Sequence, residues 1–174
     1  KNSKYFKVKV SDYMAAIISF VGKHNSGKTT LLIGIISRLE KRGIKTAVIK
    51  HAHKGLDLPG NFDSDRLFGA GASIVYASSP EFSLIYRRNL EEWSIEQIYD
   101  QIAGDVDLVI TEGFKEEDFP KIEVLRHEIS TSTLEITNIL ARVTNFPLVD
   151  SVPTFSFEQQ DEITAFIMEY CGIK

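Results

Sequence analysis

The sequence predicts an α/β fold of three layers, with a mostly parallel sheet and a β-hairpin insertion. Two short and mainly apolar runs, residues 16–21 and 107–111, have the length and continuity of strands buried on both faces, which is typical of parallel sheets. Segments in which apolar residues recur with helical spacing lie between the strand-like runs. Strands that alternate with helices form sheets covered on both faces, so these observations favour the three-layer arrangement.

Size and composition limit the class of protein. The chain has 174 residues, 43% of them hydrophobic, which suits a single domain over residues 14–174. Residues 1–13 are interpreted as a leader or an expression remnant. The net charge of −4 gives no general attraction to nucleic acid, and the longest apolar stretch, residues 15–21, is too short to span a membrane. Cys171, the single cysteine, cannot form an internal disulfide, so we expect a cytoplasmic protein.

The first half of the chain predicts two strands joined by a helix. The strand Ala16–Val21 ends in a glycine-rich turn, and a helix follows from Lys28 to Arg42. The second strand covers residues 45–51. Residues 52–61 contain two glycines and a proline and are expected to form a loop at the carboxyl end of that strand, where open parallel sheets bind ligands. A short helix over residues 63–70 comes next.

The second half predicts the hairpin, two helices and the remaining strands. Turn-forming residues at 78–81 separate two strand-like runs and indicate a hairpin. A helix begins after Ser94 and runs towards Gly104, and a final helix is expected to be capped by Ser156 and to stop at Gly172. The predicted strands of this half are 73–77, 82–87, 107–111, 121–126, 140–143 and a short one at 147–149.

The turn after the first strand matches the pattern Gly-x-x-x-x-Gly-Lys-Thr, beginning at Gly22. Gly22 and Gly27 allow backbone torsions with which successive N–H groups point at phosphate oxygens. Lys28 places an ammonium near the β- and γ-phosphates and is a catalytic candidate, Thr29 offers a hydroxyl to Mg²⁺, and Thr30 is expected to reach the α-phosphate. The sequence therefore predicts a P-loop NTPase fold that binds a nucleotide with Mg²⁺.

Four further residues belong to this phosphate cradle, and the pattern leaves their roles open. His24 either touches phosphate or occupies a permissive position. Lys23 stands where a family of dimeric P-loop proteins, which includes nitrogenase iron protein and the hydrogenase and urease accessory GTPases, has its characteristic lysine; a solvated lysine is the alternative. All four are predicted to bind the nucleotide as parts of the loop: Lys23, His24, Asn25 and Ser26.

An acidic residue at the end of a later buried strand complements the cradle. Glu112 directly follows the strand that ends at Thr111, at the position where a P-loop fold carries its Walker B acid. A carboxylate there can hold Mg²⁺ or polarise a water molecule, so Glu112 is a catalytic and metal-site candidate together with Thr29. Lys115, three residues later, can add positive charge near a phosphate. For Glu112, the alternative is a helix-capping or surface glutamate.

A basic cluster ends the second strand. Lys50, His51 and His53 can grip an anion, coordinate a metal, or belong to a solvated loop. Two histidines without a cysteine or a third histidine nearby make a poor zinc site. We assign the three residues to ligand binding and leave the metal as an alternative.

The combination of these motifs resembles one known family. The segments are Ile49-Lys50-His51-Ala52-His53, Pro59-Gly60, Asp63-Ser64, Ala70-Gly71-Ala72 and Glu112-Gly113-Phe114-Lys115, and together with the cradle they look like the molybdopterin-guanine dinucleotide biosynthesis adaptor proteins, the MobB family. The resemblance runs from Met14 to about the C-terminus. Lys54 departs from the histidine expected there, which weakens a metal role for that loop.

The resemblance implies a GTP-binding homodimer with weak Mg²⁺-dependent GTPase activity. Its implied partner is the guanylyltransferase MobA, which joins GMP to molybdopterin, with molybdopterin or a molybdoenzyme as further candidate partners. Guanine preference rests on the resemblance, since the chain has no Asn-Lys-x-Asp tetrapeptide. Thr144-Asn145, after a predicted strand, either lines a base pocket or forms an ordinary loop.

Two other functions remain open at this point. A P-loop and a basic anion-binding loop also suit a small-molecule kinase, although the one compact arginine pair, Arg87-Arg88, lies on the predicted hairpin and not in a lid. A metal-delivery GTPase would use His51 and His53 as donors, with two more from a symmetric partner.

Overall fold

The computed structural model describes residues 15–52, 55–57, 60 and 62–174, which contain four helices and eight strands. The described residues form two compact units, one made of residues 15–51 and 95–174 and the other of the described residues between 52 and 94. In the first unit the strands and helices are β1 (Ala16–Val21), α1 (Lys28–Lys41), β2 (Thr46–Lys50), α3 (Ile95–Ile102), β5 (Leu108–Glu112), β6 (Lys121–Val124), β7 (Ile139–Val143), β8 (Thr154–Phe155) and α4 (Gln160–Cys171). The second unit contains α2 (Asp63–Gly69), β3 (Ile74–Ser78) and β4 (Ser83–Arg87).

The main sheet has six parallel strands in the order β2-β5-β1-β6-β7-β8. The strand that leads into the cradle, β1, lies in the interior of the sheet with β5 on one side and β6 on the other. All the strands point the same way, so their carboxyl ends share one edge of the sheet. Register fixes the neighbours at this edge, since Glu112 pairs with Phe20 of β1 and with Lys50 of β2.

The two faces of the sheet bury separate apolar clusters, as a three-layer fold requires. One face packs against α1 and α4, where Leu32, Ile35 and Ile167 meet strand residues of the larger cluster. The other face packs against α3 around Ile95 and Val109. The α/β fold with a mostly parallel sheet and a β-hairpin is therefore confirmed.

Strands β6 and β7 carry charged side chains into the interior. Glu123 is 1% exposed; its Oε2 accepts a hydrogen bond from Arg142 Nε at 2.8 Å, and its Oε1 accepts one from the Leu134 N–H at 2.6 Å. Arg142 also forms an ion pair with Asp150. These contacts satisfy groups that would be costly to bury alone, and they fix the loops after β6 and β7 to the sheet.

Lys121, at the start of β6, is buried and donates hydrogen bonds to the carbonyl oxygens of Glu117, Phe119 and Thr137. Burial lowers the pKa of the Lys121 ammonium, and the nearby acidic side chains, Asp118 foremost, raise it in part. The ammonium ties the segment before β6 to the segment before β7.

The second unit is a helix with a two-stranded antiparallel sheet. Strands β3 and β4 pair directly, with Tyr76 opposite Ile85, which confirms the hairpin. The Tyr86 hydroxyl donates to the Asp65 carboxylate of α2, and Asp65 also accepts the Phe62 N–H where the helix begins. Asp65 therefore links α2 to the hairpin.

Two predictions near the C-terminus were wrong. No strand forms at residues 147–149; the strand instead lies at Thr154–Phe155, where it pairs with Arg142 and Val143 of β7. The final helix begins at Gln160 with Gln159 as its N-cap residue and without a side-chain capping bond. The Gln159 side chain instead accepts a hydrogen bond from the Ser156 N–H, at 2.9 Å.

Candidate phosphate-binding site

The cradle connects β1 to α1 at the carboxyl edge of the sheet. Gly22, Asn25 and Gly27 have φ values of 146°, 61° and 91°, so the chain reverses direction with left-handed torsions. A Cβ atom on Gly22 would lie 2.3 Å from the carbonyl oxygen of Val124 in β6. The loop thus depends on glycine both for its torsions and for the close approach of the neighbouring strand.

The N-terminus of α1 has the properties of an anion site. No side chain caps the helix, and its first turn contains no acidic residue. The first N–H groups of any α-helix lack acceptors within the helix, and the helix dipole is positive at this end. An anion at this point would meet free donors and a favourable field.

Lys28 lies over the cradle. Its ammonium donates hydrogen bonds to the carbonyl oxygens of Gly22, at 3.1 Å, and of Lys23, at 2.8 Å. Partial burial lowers the pKa of Lys28 and the Lys50 ammonium lowers it further, whereas the Glu112 carboxylate raises it. The ammonium is therefore close to the loop atoms that would surround a phosphate.

Three side chains converge beside the cradle at the carboxyl ends of β2 and β5. The Thr29 hydroxyl lies 3.0 Å from each carboxylate oxygen of Glu112. The Lys50 ammonium lies 3.0 Å from Glu112 Oε1 and 3.5 Å from Thr29 Oγ1. Glu112 is largely shielded, with a side-chain exposure of 12%, whereas that of Lys50 is 55%.

The donor set beside the cradle fits Mg²⁺. Thr29 and Glu112 supply a hydroxyl and a carboxylate, and Mg²⁺ prefers oxygen ligands, one or two from protein with the rest from water and phosphate. In the described residues no group of three or more His, Cys, Asp and Glu side chains could hold a metal ion. These two oxygens therefore suit a metal ion that takes its other ligands from a nucleotide and from water.

Comparison with known proteins identifies the family. Residues 17–145 match the family model MobB, described as molybdopterin guanine dinucleotide synthesis protein B. The chain belongs to the MobB family. It is 34% identical over 166 residues to the molybdopterin-guanine dinucleotide biosynthesis adapter protein of Haemophilus influenzae, with 93% of each chain covered. Identity to the Escherichia coli K12 protein of the same name is 29%, over 90% of this chain and 94% of that protein.

Solved MobB structures share the fold. A crystal structure of molybdopterin-guanine biosynthesis protein B superposes with a TM-score of 0.71 at 32% identity, covering 88% of this chain and 99% of that one. A MobB homolog from Bacillus stearothermophilus superposes with a TM-score of 0.70 at 24% identity, covering 91% of this chain and 99% of that one. The resemblance found in the sequence is thereby confirmed, and with it the P-loop NTPase fold.

The remaining cradle residues of this MobB-family chain differ in their surroundings. Lys23 is exposed and donates to Ser130 Oγ at 2.6 Å. His24 and Thr30 are also exposed. Ser26 is buried, and its hydroxyl is the one cradle side chain that the structure describes as buried without a hydrogen-bond partner. A nucleotide role for these residues remains a prediction.

The basic cluster after β2 is divided. Lys50 lies beside Glu112, but the His51 ring stacks on Phe114, with ring centroids 4.8 Å apart. Phe114 has a φ of 54°, and its stacking with His51 was not predicted from the sequence. His53 lies outside the described residues, as do residues 1–13. A ligand role for both histidines stays a prediction.

Lys115 and the arginine pair lie in other contacts. Lys115 is exposed and forms an ion pair with Glu116 at 3.4 Å. Within the second unit, the Arg87 guanidinium lies 5.2 Å from the centre of the Trp93 ring. Arg88 lies over the Phe68 ring and donates to the carbonyl oxygens of Phe68 in α2 and of Ala72 in the following turn. The arginine pair has structural contacts in this unit.

Arg126 is a cradle contact that sequence reasoning missed. It follows β6, and its Nε donates to the Ser26 carbonyl oxygen at 3.4 Å. Its guanidinium lies over the Phe157 ring, 4.5 Å from the centre. A Cβ on Gly27 would come within 2.9 Å of Arg126 Nη2 and 3.3 Å of Phe157. The stacked pair thus supports the cradle where α1 begins. The sequence signal that could have identified Arg126 is a basic residue at the end of a predicted strand, 121–126, which lies next to β1 in the sheet.

Asn145 lies two residues after the end of β7, in the segment that the sequence left open as a base pocket or an ordinary loop. Asn145 accepts a hydrogen bond from the His127 N–H at 2.8 Å and donates one to the Glu128 carboxylate, so its amide holds the loop after β6.

Among the helices of the described residues, none has the length and apolar character needed to cross a membrane.

Proposed function

We propose that this chain is a GTP-binding adaptor of molybdopterin guanine dinucleotide biosynthesis that assists the guanylyltransferase MobA and hydrolyses GTP weakly with Mg²⁺. Membership of the MobB family supports the pathway, since relatives over 90% or more of the chain are named as adapter proteins of that biosynthesis. One observation carries the nucleotide part of the proposal. Lys28, Thr29 and Glu112 converge at the uncapped start of α1, although Glu112 is 83 residues from Thr29.

The cradle would hold the phosphates through main-chain and side-chain donors. N–H groups of the loop and of the first turn of α1 bind phosphate oxygens, and the Lys28 ammonium leaves the loop carbonyls for the β- and γ-phosphates. Thr29 and Glu112 would hold Mg²⁺, which neutralises phosphate charge when it is bound. Arg126 and Phe157 keep the loop in place through the Ser26 carbonyl oxygen and their stacking contact.

Slow hydrolysis follows from the surroundings of Glu112. Its carboxylate is largely shielded and already interacts with the Thr29 hydroxyl and the Lys50 ammonium. A carboxylate whose oxygens already interact with two partners is poorly placed to take a proton from a water molecule, because it would first have to leave one of them. The proposal therefore assigns Glu112 mainly to binding.

Titration calorimetry with GTP, GDP and ATP tests the nucleotide part. We expect GTP and GDP to bind in the presence of Mg²⁺, and ATP to bind more weakly. Failure of both guanine nucleotides to bind would remove the proposal. Lys28→Met should abolish nucleotide binding. Lys41→Met, which removes a lysine at the far end of α1, is the matched control and should leave binding unchanged, and both variants should stay folded.

The partner part needs a separate experiment. Purified guanylyltransferase should be retained by the immobilised chain more strongly with GTP and Mg²⁺ than without nucleotide. Retention that is independent of nucleotide would leave the adaptor role but contradict a nucleotide-controlled one. The proposed homodimer rests on the family resemblance. The proposed cytoplasmic location rests on the single cysteine, which is free and buried. Sedimentation analysis should give twice the 19.6 kDa chain mass.

A further inference from the structure

Lys50 contacts both oxygen donors of the predicted magnesium site, Thr29 and Glu112. Lys50 and Glu112 are direct partners in the parallel pairing of β2 and β5, so their side chains leave the same face of the sheet. That face packs against α1, which brings Thr29 to the same point. The meeting of these three side chains is therefore fixed by strand register.

The position of the ammonium is more specific than an ordinary ion pair requires. Lys50 has a flexible side chain that is 55% exposed and could reach a carboxylate oxygen from solvent. Its Nζ instead lies within 3.0 Å of Glu112 Oε1 and 3.5 Å of Thr29 Oγ1. These are the two protein oxygens that Mg²⁺ would use.

An ammonium and a divalent cation in this position repel each other and compete for the same carboxylate. Both bind the Glu112 carboxylate, where Lys50 already occupies Oε1, and like charges a few ångströms apart repel. The Glu112 side chain is 12% exposed, which limits the screening by water at the carboxylate, whereas Lys50 is 55% exposed and can swing into solvent. Entry of a metal ion therefore requires Lys50 to move.

We propose that Lys50 is a counter-ion of Glu112 that holds the cation position until a metal–nucleotide complex arrives. The proposal rests on the proposed nucleotide site and names a regulation of it. Free divalent metal binds weakly because it must displace Lys50 without compensation. Nucleotide phosphates provide new ligands for the metal and a new anionic partner for the displaced ammonium, so metal and nucleotide enter together.

The test measures binding of Mn²⁺, as a probe for the divalent metal, to the nucleotide-free protein by the electron paramagnetic resonance signal of free Mn²⁺. Lys50→Met should bind Mn²⁺ at least about tenfold more tightly than the wild type, because one repelling charge is removed at contact distance. Lys50→Arg should behave like the wild type. Lys41→Met, which removes a lysine charge at the distant end of α1, should leave the Mn²⁺ affinity unchanged.

A second comparison locates the metal. The gain in Lys50→Met should disappear in Lys50→Met/Thr29→Ala, because Thr29 is one of the metal's ligands in the proposal. Equal Mn²⁺ affinity of Lys50→Met and Lys41→Met would overturn the inference, and so would a gain that survives the second substitution. Lys50→Gln provides a repeat of the same measurement if circular dichroism shows that Lys50→Met is unfolded.

The experiment separates this inference from the proposed nucleotide site. Its Mn²⁺ arm contains no nucleotide and can fail while GTP still binds. Conversely, titration of GTP in EDTA tests the cradle without a metal. GTP binding with no effect of Lys50→Met on free Mn²⁺ affinity contradicts only the counter-ion role.

Discussion

Thr29 Oγ1 lies 3.0 Å from both carboxylate oxygens of Glu112, which joins the start of α1 to the end of β5. The two residues are 83 positions apart, and the parallel pairing of β1 with β5 brings their elements together. A hydroxyl and a carboxylate so close to an uncapped helix N-terminus provide oxygen ligands next to an anion position.

Thr29→Ala should uncouple nucleotide affinity from Mg²⁺. Loss of the hydroxyl removes one metal ligand and a hydrogen bond of Glu112 but leaves the main-chain phosphate donors in place. We expect nucleotide affinity in Mg²⁺ to fall about 10- to 100-fold, to the value of the wild type in EDTA. Calorimetry with and without Mg²⁺ measures this, with the exposed Thr137→Ala as control. An undiminished response to Mg²⁺ would rule out Thr29 as a ligand.

Gly22→Ala should destabilise the protein strongly. The new Cβ would lie 2.3 Å from a main-chain oxygen of β6, and φ is 146°, so the strand or the loop must shift. We expect a loss of roughly 2 kcal/mol or more in the free energy of unfolding, measured with urea. Gly104→Ala is the control, because no atom lies within 4 Å of its added Cβ and its φ is not positive. A loss as small as that of Gly104→Ala would contradict the observed packing.

Local sequence patterns predicted the elements that position the site. The apolar run before Gly22 and the helical spacing after Lys28 are short-range signals, so β1 and α1 were predicted almost to the residue. Glu112 could be placed because it ends a run of buried-strand residues. Its contact with Thr29 could be inferred only as far as the shared sheet edge, since the sequence contains no measure of register between β1 and β5.

The missed features depend on tertiary pairing. Strand β8 has two residues, too few for a period, and exists because it pairs with β7. Arg126 belongs to a stretch that looks like the end of a strand, and nothing nearby in sequence indicates Phe157, 31 positions later. Glu123 and Arg142 look like solvent-facing residues of alternating strands until the register between β6 and β7 makes them partners.

Arg142→Met should cost about 3–5 kcal/mol of stability, because Glu123 stays buried without its ionic partner. The double variant Glu123→Leu/Arg142→Met should recover more than half of that loss, since it removes the uncompensated charge. Urea unfolding of the two variants measures both values. Arg42→Met, which removes a half-exposed partner of Asp161, should cost less than about 1 kcal/mol. If Arg42→Met and Arg142→Met lower the free energy of unfolding by similar amounts, the burial of the Glu123–Arg142 ion pair does not determine its contribution to stability.

Stability should fall between pH 9 and 11 through Cys171. Burial raises the pKa of the thiol from 9.0 to about 11. In that range the unfolded chain has lost the thiol proton while the folded chain keeps it, so unfolding is favoured increasingly, by about 2–3 kcal/mol in total. The difference in unfolding free energy between the wild type and Cys171→Ala should change by this amount from pH 8.5 to 11. A difference that is constant with pH would contradict the raised pKa.

Arg126 and Phe157 should act on nucleotide affinity as one unit. The guanidinium stacks on the ring and donates to the Ser26 carbonyl oxygen, so loss of either side chain releases the same support of the loop. We expect Arg126→Ala and Phe157→Leu each to weaken GTP binding, and each to cost roughly 0.5–2 kcal/mol of stability. In a double-mutant cycle the second substitution should add little, because the interaction is already lost. Additive losses in affinity would show that the two residues act independently and would contradict their action as one unit.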